Sequence, residues 1–567
     1  MKKLTYLFLA GLLAFSIAAC DGSSSDDEDN KTEDNGTEDN ITEVNPVNDT
    51  VTLSVLGTYS TGIFDESAAE IVVYDDVNNQ LFVVNGDTKA IDVIGIDNLS
   101  APVKLDSIDL SAYGDGINSV AYHNGYVAAA VEVEAEDDLG TQLDGKVVFF
   151  TADNFTIVNT VSVGALPDMV TFTPDGNGVV VANEGEPNDD YSIDPEGSVS
   201  YIDISGGVES ASVTEMDFTS FNDHKDSLKA SGVRITGPEG TTVAQDVEPE
   251  YIAVSADSKK AYVSLQENNA MAVADLEAKT IAAILPYGYK DHSLEKNSFD
   301  MFNKDEVAKL ETHPIRGLYM PDAIAAFTAD DSNYIITANE GDGREYATED
   351  ENGDDIIHYI DEEKLEDMPL DNESFSAEFI TLAADGDSNL RIITTEGDTD
   401  KDGAYEELYS FGTRSFSIWS TAGELVYDSG NDFERITAEM YPNYFNASND
   451  SNDIDDRSDN KGPEPEGVTV GVINDATFAF IGLERMGGIM VYNVSNPAEP
   501  KFVQYINNRD FTKDPETELA EAGDLGPEGL YFIPASKSKS GKNLLVVGNE
   551  VSGTTTIYEV SYTEATE

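Results

Sequence analysis

The stretch PEGVTVG, Pro465–Gly471, decides the fold because the chain repeats it. A proline and an acid stand directly before alternating apolar residues, and proline suits the first position of a strand better than its middle. Four further copies keep the proline and the acid, and two weaker copies lack the proline: Pro167–Thr173, Pro249–Ser255, Pro321–Phe327, Pro527–Ile533, Ala69–Asp75 and Ile117–His123. The sequence therefore contains seven related units.

Each unit continues with a turn rich in Asp, Asn and Gly and then a second apolar run that ends in a polar or acidic residue. A third apolar run follows at a variable distance. Short alternating runs separated by turn residues indicate antiparallel strands. Seven units of this kind predict an all-β chain folded as a seven-bladed β-propeller with loop and helix insertions. A pair of β-sandwiches is the alternative.

The flanks of the repeat region predict how the ring closes. The strand-like run Val51–Tyr59 precedes the first unit, and we expect it to complete the blade formed by the last unit, so that the propeller domain spans 51–567. Within that domain, Glu362–Met368 is predicted to be a short helix. The uneven spacing of the units predicts insertions near 206–245, 287–318, 342–390 and 425–462.

The chain of 567 residues is strongly acidic, with 110 Asp and Glu against 32 Lys and Arg and a formal net charge of −78. Such a charge argues against a nucleic-acid partner and against binding to an anionic membrane through a basic face. It favours cation binding or a surface adapted to salty water. A solvated acidic surface accounts for most of these carboxylates.

The N-terminus has the pattern of an export signal. Lys2 and Lys3 precede the apolar run Leu4–Ile17, and Ala18-Ala19-Cys20 follows. This pattern resembles a bacterial lipobox, so we expect 1–20 to be a lipoprotein signal peptide with Cys20 as the lipidation site. An ordinary signal peptide that contains a cysteine is the alternative.

The segment 21–50 is rich in Asp, Glu, Asn and Thr, which predicts an acidic disordered tether. We therefore expect an exported protein, held by lipid at a bacterial membrane on the periplasmic face or the cell surface. Because Cys20 is the only cysteine, the chain forms no internal disulfide.

The acid in each repeat predicts a ring of carboxylates. In a propeller the first strand of each blade lines the central channel, so these acids would surround one mouth of it and bind cations. Crowded like charges raise one another's pKa unless a cation joins them. The alternative is that the acids only cap turns. The candidates are Glu70, Asp168, Glu250, Asp322, Glu466 and Glu528, with Asn118 in the remaining blade, and Glu184, Glu340, Glu484 and Glu550 at the ends of second runs.

A loop of the DxDxDG kind predicts a calcium site. Asp398, Asp400 and Asp402 alternate, and Gly403 supplies the sharp turn. The twelfth position is a tyrosine, so a complete EF-hand is excluded, and we expect Glu406 or Glu407 to complete the ligand shell. A plain acidic turn is the alternative. A second acidic loop, Asn449–Asn460, lacks ordered ligand spacing and is predicted to be solvated.

Motifs for catalysis are missing from the sequence. It has five histidines, none at the spacing of a zinc helix, and no HExxH, GxSxG, P-loop or GxGxxG motif. No catalytic residue can therefore be named. A metal-dependent hydrolase, in particular a phosphoesterase that uses the channel acids, is the alternative to a binding protein. A cation-independent adhesion scaffold is the third hypothesis.

Several long stretches resemble the choice-of-anchor I family: Val181–Tyr191, Pro195–Ile204, Thr337–Tyr346, Gly412–Trp419, Arg457–Gly471 and Val547–Val560. The resemblance covers roughly residue 60 to the C-terminus. It implies a secreted or surface-anchored propeller-like domain whose anchor differs among members, and it implies no catalytic residues.

The animal members of the family are linked to biomineralisation, which suits a surface that handles calcium. Some bacterial members carry the label alkaline phosphatase, but this sequence lacks a recognisable nucleophile and zinc-ligand set of that kind. We therefore expect a lipid-anchored extracytoplasmic propeller that binds divalent cations, with calcium as the candidate cofactor. A surface protein or polysaccharide is the candidate partner.

Overall fold

The structure, a computed structural model, describes residues 50–137, 139–350, 354–386 and 388–563. These residues form seven sheets of four antiparallel strands, one sheet of five strands and one of two. The predicted signal peptide, Cys20 and nearly all of the predicted tether lie outside the described residues. Among the described helices, none has the length and hydropathy required to cross a bilayer.

The first half of the described chain contains four of the four-stranded sheets, which follow one another and are preceded by a single strand. The single strand is β1 (Thr50–Ser60). The four sheets are β2 (Val72–Asp75), β3 (Gln80–Asn85), β4 (Ala90–Gly95) and β5 (Val103–Asp109); β6 (Gly116–His123), β7 (Tyr126–Glu134), β8 (Gln142–Thr151) and β9 (Ile157–Ala165); β10 (Pro167–Phe172), β11 (Gly178–Asn183), β12 (Ser198–Asp203) and β13 (Ser212–Asp217); and β14 (Pro249–Val254), β15 (Lys260–Leu265), β16 (Ala270–Asp275) and β17 (Thr280–Pro286).

The middle of the chain interleaves one four-stranded sheet with smaller elements. Its strands are β18 (Tyr289–Asp291), β19 (Arg316–Leu318), β20 (Ile324–Ala329), β21 (Ser332–Asn339), β22 (Glu345–Glu349), β23 (Asp355–Ile360), β24 (Glu362–Lys364), β25 (Arg391–Ile393), β26 (Tyr409–Ser410), β27 (Ser415–Ser420) and β28 (Leu425–Asp428). β20, β21, β27 and β28 form the four-stranded sheet, and β18, β19, β26, β25 and β24 form the five-stranded one.

The last part of the chain completes two four-stranded sheets. Their strands are β29 (Pro465–Ile473), β30 (Ala476–Leu483), β31 (Ile489–Asn493), β32 (Lys501–Ile506), β33 (Pro527–Ile533), β34 (Leu544–Asn549) and β35 (Thr554–Thr563). The α-helices between strands are short: α1 (Lys225–Ser231), α2 (Val243–Asp246), α3 (Ala377–Ala383), α4 (Asp432–Met440) and α5 (Leu519–Ala522).

The ring closes as predicted, because β1 pairs antiparallel with β35 and completes the last sheet. We call one end strand of each four-stranded sheet its inner strand: β2, β6, β10, β14, β20, β29 and β33. In the sheet that β1 completes, β33 is the inner strand and β1 lies at the opposite end. Each inner strand contacts the next one along the chain, and β33 contacts β2. These contacts surround a central axis, and the prediction of an all-β propeller is confirmed.

Packing between neighbouring sheets supplies the core. β3, β11 and β34 are buried along their whole length, because both faces of these strands are covered by adjacent sheets. One cluster joins Phe82 of β3 to Phe150 of β8, and another joins Val83 of β3 to Val546 of β34 across the closure. The sheets thus share a series of cores around the ring.

Two predictions about the insertions differ from the structure. The predicted helix Glu362–Met368 is wrong: β24 pairs with β25, and only a one-turn 3₁₀ helix, Leu365–Asp367, follows. The predicted insertions near 206–245 and 425–462 include β13 and β28. β13 pairs with β12, and β28 pairs with β27, so each of them is the fourth strand of its four-stranded sheet.

The second acidic loop is exposed at Asp450, Asp453 and Asp456, as predicted, and packed elsewhere. Asp455 and Ser458 are fully buried. The Arg414 guanidinium donates to the Ser458 carbonyl oxygen at 2.8 Å, and the Asn446 amide donates to the Ser458 hydroxyl at 2.9 Å. These contacts come from residues distant in sequence, which the composition of the loop does not indicate.

Candidate metal centre

The acid at the start of an inner strand lies in a break of the strand pairing. In β29, Pro465 pairs with Leu483, and regular pairing resumes only at Val468 with Ile481. β10, β14 and β33 have the same break after their prolines. A bulge of this kind takes the residue out of the strand's alternation, so Glu466 belongs to neither face of its sheet.

Glycines bring neighbouring inner strands together beside these acids. A Cβ on Gly467 would lie 2.1 Å from the carbonyl oxygen of Glu528, and a Cβ on Gly529 would lie 2.5 Å from the carbonyl oxygen of Glu70. Any larger residue would force these strands apart. The glycine after the acid therefore determines how closely the carboxylates of adjacent sheets approach.

Acids from second strands join the inner-strand acids in linked groups. Each group has three carboxylates with one oxygen apiece, all within 4.8 Å of one another. Shared members connect the groups, which we call the acidic arc. The groups are Asp322, Glu340 and Glu466; Glu340, Glu464 and Glu484; Glu466, Glu484 and Glu550; and Glu70, Glu528 and Glu550. Carboxylate oxygens are the ligands that calcium and magnesium prefer.

The other predicted ring acids adjoin the arc. Burial, with the charges of Glu267, Glu184 and Asp322, raises the pKa of Glu250 well above its ordinary value. Burial also raises the pKa of Asp168 to about 6. Asp168, Glu184 and Glu250 thus interact electrostatically with one another, and Glu250 also with Asp322, and this repulsion favours the protonated forms.

Three acids of this region were missed by the sequence analysis: Glu186, Glu248 and Glu267. Burial raises the pKa of Glu186 to about 7 and, against the opposing charge of Arg344, that of Glu248 to about 8. Glu250 and Glu267 are only 8% and 7% exposed, and one carboxylate oxygen of each has no hydrogen-bond partner. These oxygens are available to a ligand.

Cations neutralise one part of the arc. Glu464 is fully buried and forms ion pairs with Arg457 at 2.7 Å and with Arg485 at 3.0 Å. The Lys461 ammonium lies 2.7 Å from Glu340 and 3.6 Å from Glu464. Burial alone would raise the pKa of Glu464, yet these three cations lower it well below its ordinary value. Here the carboxylate has a structural role.

Glu466 contrasts with this neutralised group. One of its oxygens is buried without a hydrogen-bond partner, and no salt bridge joins Glu466 or Asp322 to a cation of the described residues. Burial, followed by the charges of Glu484 and Glu340, raises the pKa of Glu466 well above its ordinary value. A divalent cation would relieve this repulsion.

Tyr251 marks the interior of the ring. It follows Glu250 on β14, and burial together with the charges of Asp322, Asp168 and Glu466 raises the pKa of its hydroxyl. The residue in the remaining inner strand has a different role, because the Asn118 amide donates to the Pro167 carbonyl oxygen at 3.2 Å. It ties one inner strand to the next, as a structural cap does.

The DxDxDG loop is folded as a compact acidic turn. One oxygen each of Asp398, Asp400, Asp402 and Glu406 lies within 4.8 Å of the others. Glu406 accepts hydrogen bonds from the Thr399 amide and hydroxyl, both at 2.7 Å. The charge of Asp402 is the main cause of a raised pKa at Asp400. The loop therefore concentrates four carboxylates at the surface.

Glu407 does not join this group. Its carboxylate forms an ion pair with Arg316 and accepts a hydrogen bond from the Tyr409 hydroxyl at 2.7 Å. Of the two glutamates that the sequence offered as the completing ligand, the structure thus places Glu406 beside the aspartates. Glu407 instead fixes the end of the loop to the five-stranded sheet.

Two short patterns could have identified Glu186 and Glu248, but neither of them contains Glu267. Glu-Pro-Glu occurs at 248–250 and at 464–466, and in both places the first glutamate is bound by arginine. Asn-Glu-Gly followed by an acid occurs at 183–186 and at 339–342. In each case the extra acid lies two residues from a predicted ring acid. In extended backbone, side chains two residues apart point to the same side.

Comparison with known proteins gives two curated relatives of partial length. Gigasin-3a from Magallana gigas is 33% identical over 181 residues, which is 30% of this chain and 63% of that protein. The mesenchyme-specific cell surface glycoprotein of Strongylocentrotus purpuratus is 27% identical over 321 residues, 50% of this chain and 40% of that protein. The chain thus matches less than two thirds of the length of either relative.

The solved structures that match this chain are remote from it in sequence. The β-propeller domain of Cps50 (Swd1) from Myceliophteria thermophila has a TM-score of 0.40 at 9% identity. Hydrazine synthase from Kuenenia stuttgartiensis has a TM-score of 0.43 at 10% identity. Each match covers 90% of this chain and 100% of the other chain.

The family model called choice-of-anchor I domain matches residues 70–497. This range includes six of the inner strands, the DxDxDG loop and most of the acidic arc. The chain therefore belongs to the choice-of-anchor I domain family.

Proposed function

We propose that this protein is an extracytoplasmic β-propeller that binds divalent cations, calcium above all, through carboxylates inside its ring and on the exposed DxDxDG loop. The observation that carries the proposal is the acidic arc, four linked groups of three carboxylates with oxygens within 4.8 Å. The unpartnered oxygens of Glu250 and Glu466 support it, because a buried carboxylate without a donor is costly unless a cation or a proton neutralises it.

The proposed location is the cell surface or the periplasmic face of a membrane, with a lipid on Cys20 as the anchor. The lipobox-like sequence supports the anchor. A relative named as a cell surface glycoprotein supports the location. A calcium ion on an exposed loop has coordination positions left for other oxygen ligands, so an acidic surface polysaccharide is the partner we propose.

Calorimetric titration of the full-length protein with calcium chloride, after removal of metal by a chelator, tests the proposal. We expect heat of binding and a higher melting temperature, because ligands that bind only the folded state stabilise it. The double substitution Asp400→Asn and Asp402→Asn should remove the loop site. The double substitution Asp322→Asn and Glu466→Gln should remove the interior site.

Asp153→Asn is the matched control, because Asp153 is an exposed acid outside both groups. It should leave the titration unchanged. Wild-type protein that gives neither heat nor a shift in melting temperature would contradict the proposal, and a surface partner that binds equally well in chelator would favour a cation-independent scaffold.

A further inference from the structure

Lys461 is a positive charge built into the acidic arc. Its side chain is 8% exposed, and its ammonium donates to Glu340 at 2.7 Å. It also lies 3.8 Å from Asp342 and 3.6 Å from Glu464. A lysine that contacts three carboxylates in this way occupies space and charge that a metal ion would otherwise take.

Glu340 connects two parts of the arc that are compensated unequally. With Glu464 and Glu484 it forms a group that Lys461 and Arg485 neutralise from within. With Asp322 and Glu466 it forms a group whose other two members have no ion pair to a described cation. The same glutamate therefore serves a structural ion pair on one side and a candidate metal group on the other.

Both oxygens of Glu340 already have donors. Lys461 donates to Oε1 at 2.7 Å, and the Gln266 amide donates to Oε2 at 3.1 Å. A cation that binds Asp322, Glu340 and Glu466 must therefore share Glu340 with the ammonium, and it meets that positive charge at short range. Glu250, whose carboxylate interacts electrostatically with that of Asp322, is 8% exposed and has a buried oxygen without a hydrogen-bond partner.

We propose that Lys461 is the resident counter-ion of the acidic arc and determines how tightly the arc binds a divalent cation. This inference rests on the proposed function. Competition for Glu340 weakens the interior site toward the dissociation constants of roughly 10⁻⁴–10⁻³ M found in extracellular calcium modules. The ring then fills at extracellular calcium concentrations and empties when calcium is withdrawn.

The loop that carries Lys461 is held independently of its side chain. The Asn460 carbonyl oxygen accepts from the Arg414 guanidinium at 2.8 Å. The amides of Asn460 and Gly462 donate to the Arg457 carbonyl oxygen at 3.1 and 2.9 Å. Replacement of the lysine side chain should therefore remove the charge and leave the backbone of the loop in place.

Terbium luminescence provides a readout for the ring, because Tyr251 directly follows Glu250 on β14, interacts electrostatically with Asp322 and Glu466, and can transfer excitation to a terbium ion bound nearby. Every protein compared in this experiment carries Asp400→Asn and Asp402→Asn, so the surface loop binds no terbium and contributes no signal. Terbium is bound first and calcium chloride then displaces it. Tyr251→Phe should abolish most of the signal, which identifies the ring as its source.

Lys461→Met keeps the length of the side chain and removes its charge, and we expect calcium to bind at least about tenfold more tightly. Lys461→Arg retains the charge and should stay close to the parent protein. Lys260→Met is the matched control, because Lys260 is an exposed lysine outside the arc. If Lys461→Met unfolds without metal, calcium-dependent refolding is the expected result.

The outcomes separate the two proposals. A parent protein that binds calcium and a Lys461→Met variant with equal or weaker affinity would overturn the role of Lys461 and leave the proposed function standing. Binding by the variant alone would support the role of Lys461 as a resident blocker and overturn calcium binding by the natural ring. Absence of binding in both proteins would overturn both proposals.

Discussion

The same three residues, Glu-Pro-Glu, lead into two inner strands, and yet the glutamates before the two prolines are in opposite electrostatic states. Glu248 and Glu464 are 2% and 0% exposed, so burial does not distinguish them. Arg344 is the cation at Glu248, and it also lies 3.5 Å from Asp246. Three cations surround Glu464. The pKa of Glu248 is raised and that of Glu464 is lowered, because the number of nearby cations differs.

The repeat thus determines where the carboxylates lie, whereas cations from other segments determine whether those carboxylates are charged. Arg344 comes from the segment after β21, and Lys461 and Arg457 come from the loop before β29. Where such cations accumulate, an acid contributes to stability. Where they are few, the acid is available to protons or metal ions.

The largest expected effect comes from the neutralised glutamate. Glu464→Gln leaves Arg457, Lys461 and Arg485 without their shared partner in a buried site, so the free energy of unfolding should fall by about 3–5 kcal/mol. Glu248→Gln should lower the free energy of unfolding by less at neutral pH, because loss of the ion pair with Arg344 is offset by weaker repulsion from neighbouring acids. Urea unfolding of both variants in chelator measures the difference. Equal losses would contradict the comparison.

The pH dependence of stability provides a second test of the contrast between these acids. Folded-state pKa values of about 6 for Asp168, 7 for Glu186 and 8 for Glu248 lie above the ordinary values near 4, so the folded protein retains protons that the unfolded chain releases. Their stabilisation is complete below the ordinary pKa and is lost progressively as the pH rises from about 4 through the folded values of 6, 7 and 8. Glu464 has the opposite sign, and its stabilisation is lost as the pH falls below about 4.5.

The metal-free protein should therefore melt at its highest temperature near pH 4.5 and at steadily lower temperatures as the pH rises toward 8. Calcium should restore the melting temperature at pH 8, since it neutralises the same carboxylates. Scanning calorimetry from pH 4 to 9, with chelator and with calcium, measures both curves. A flat metal-free curve between pH 5 and 8 would count against the raised pKa values.

The smallest effects are expected at the exposed loop. Glu407→Gln breaks a partly exposed ion pair with Arg316 and should cost less than about 1 kcal/mol, with calcium affinity at the loop retained. Glu406→Gln should weaken calcium binding by the loop. Calorimetric titration in the Glu466→Gln background compares them. Loss of loop binding in the Glu407 variant would show that this residue reaches the ion after all.

Sequence reasoning predicted the repeat and its closure because these depend on local patterns. Alternation of apolar residues, turn residues and proline at the strand start all act within a few residues, so they are visible in sequence. The same patterns predicted Glu70, Asp322, Glu466 and Glu528 for one ring, and the structure groups Asp322 with Glu466 and Glu70 with Glu528. The segment Glu362–Met368 was misread, because β24 forms only by pairing with β25, some thirty residues later.

Local patterns place an acid at the start of nearly every inner strand and gather three aspartates in a DxDxDG turn, because repeats and turns act over short distances. Only the tertiary structure decided which carboxylates remain uncompensated. Lys461 lies 121 residues from Glu340 along the chain, and Arg344 lies 98 residues from Asp246, so these pairs form only in the folded chain. Electrostatic energy depends on the distance between charges and on their burial, and neither quantity can be read from the sequence alone.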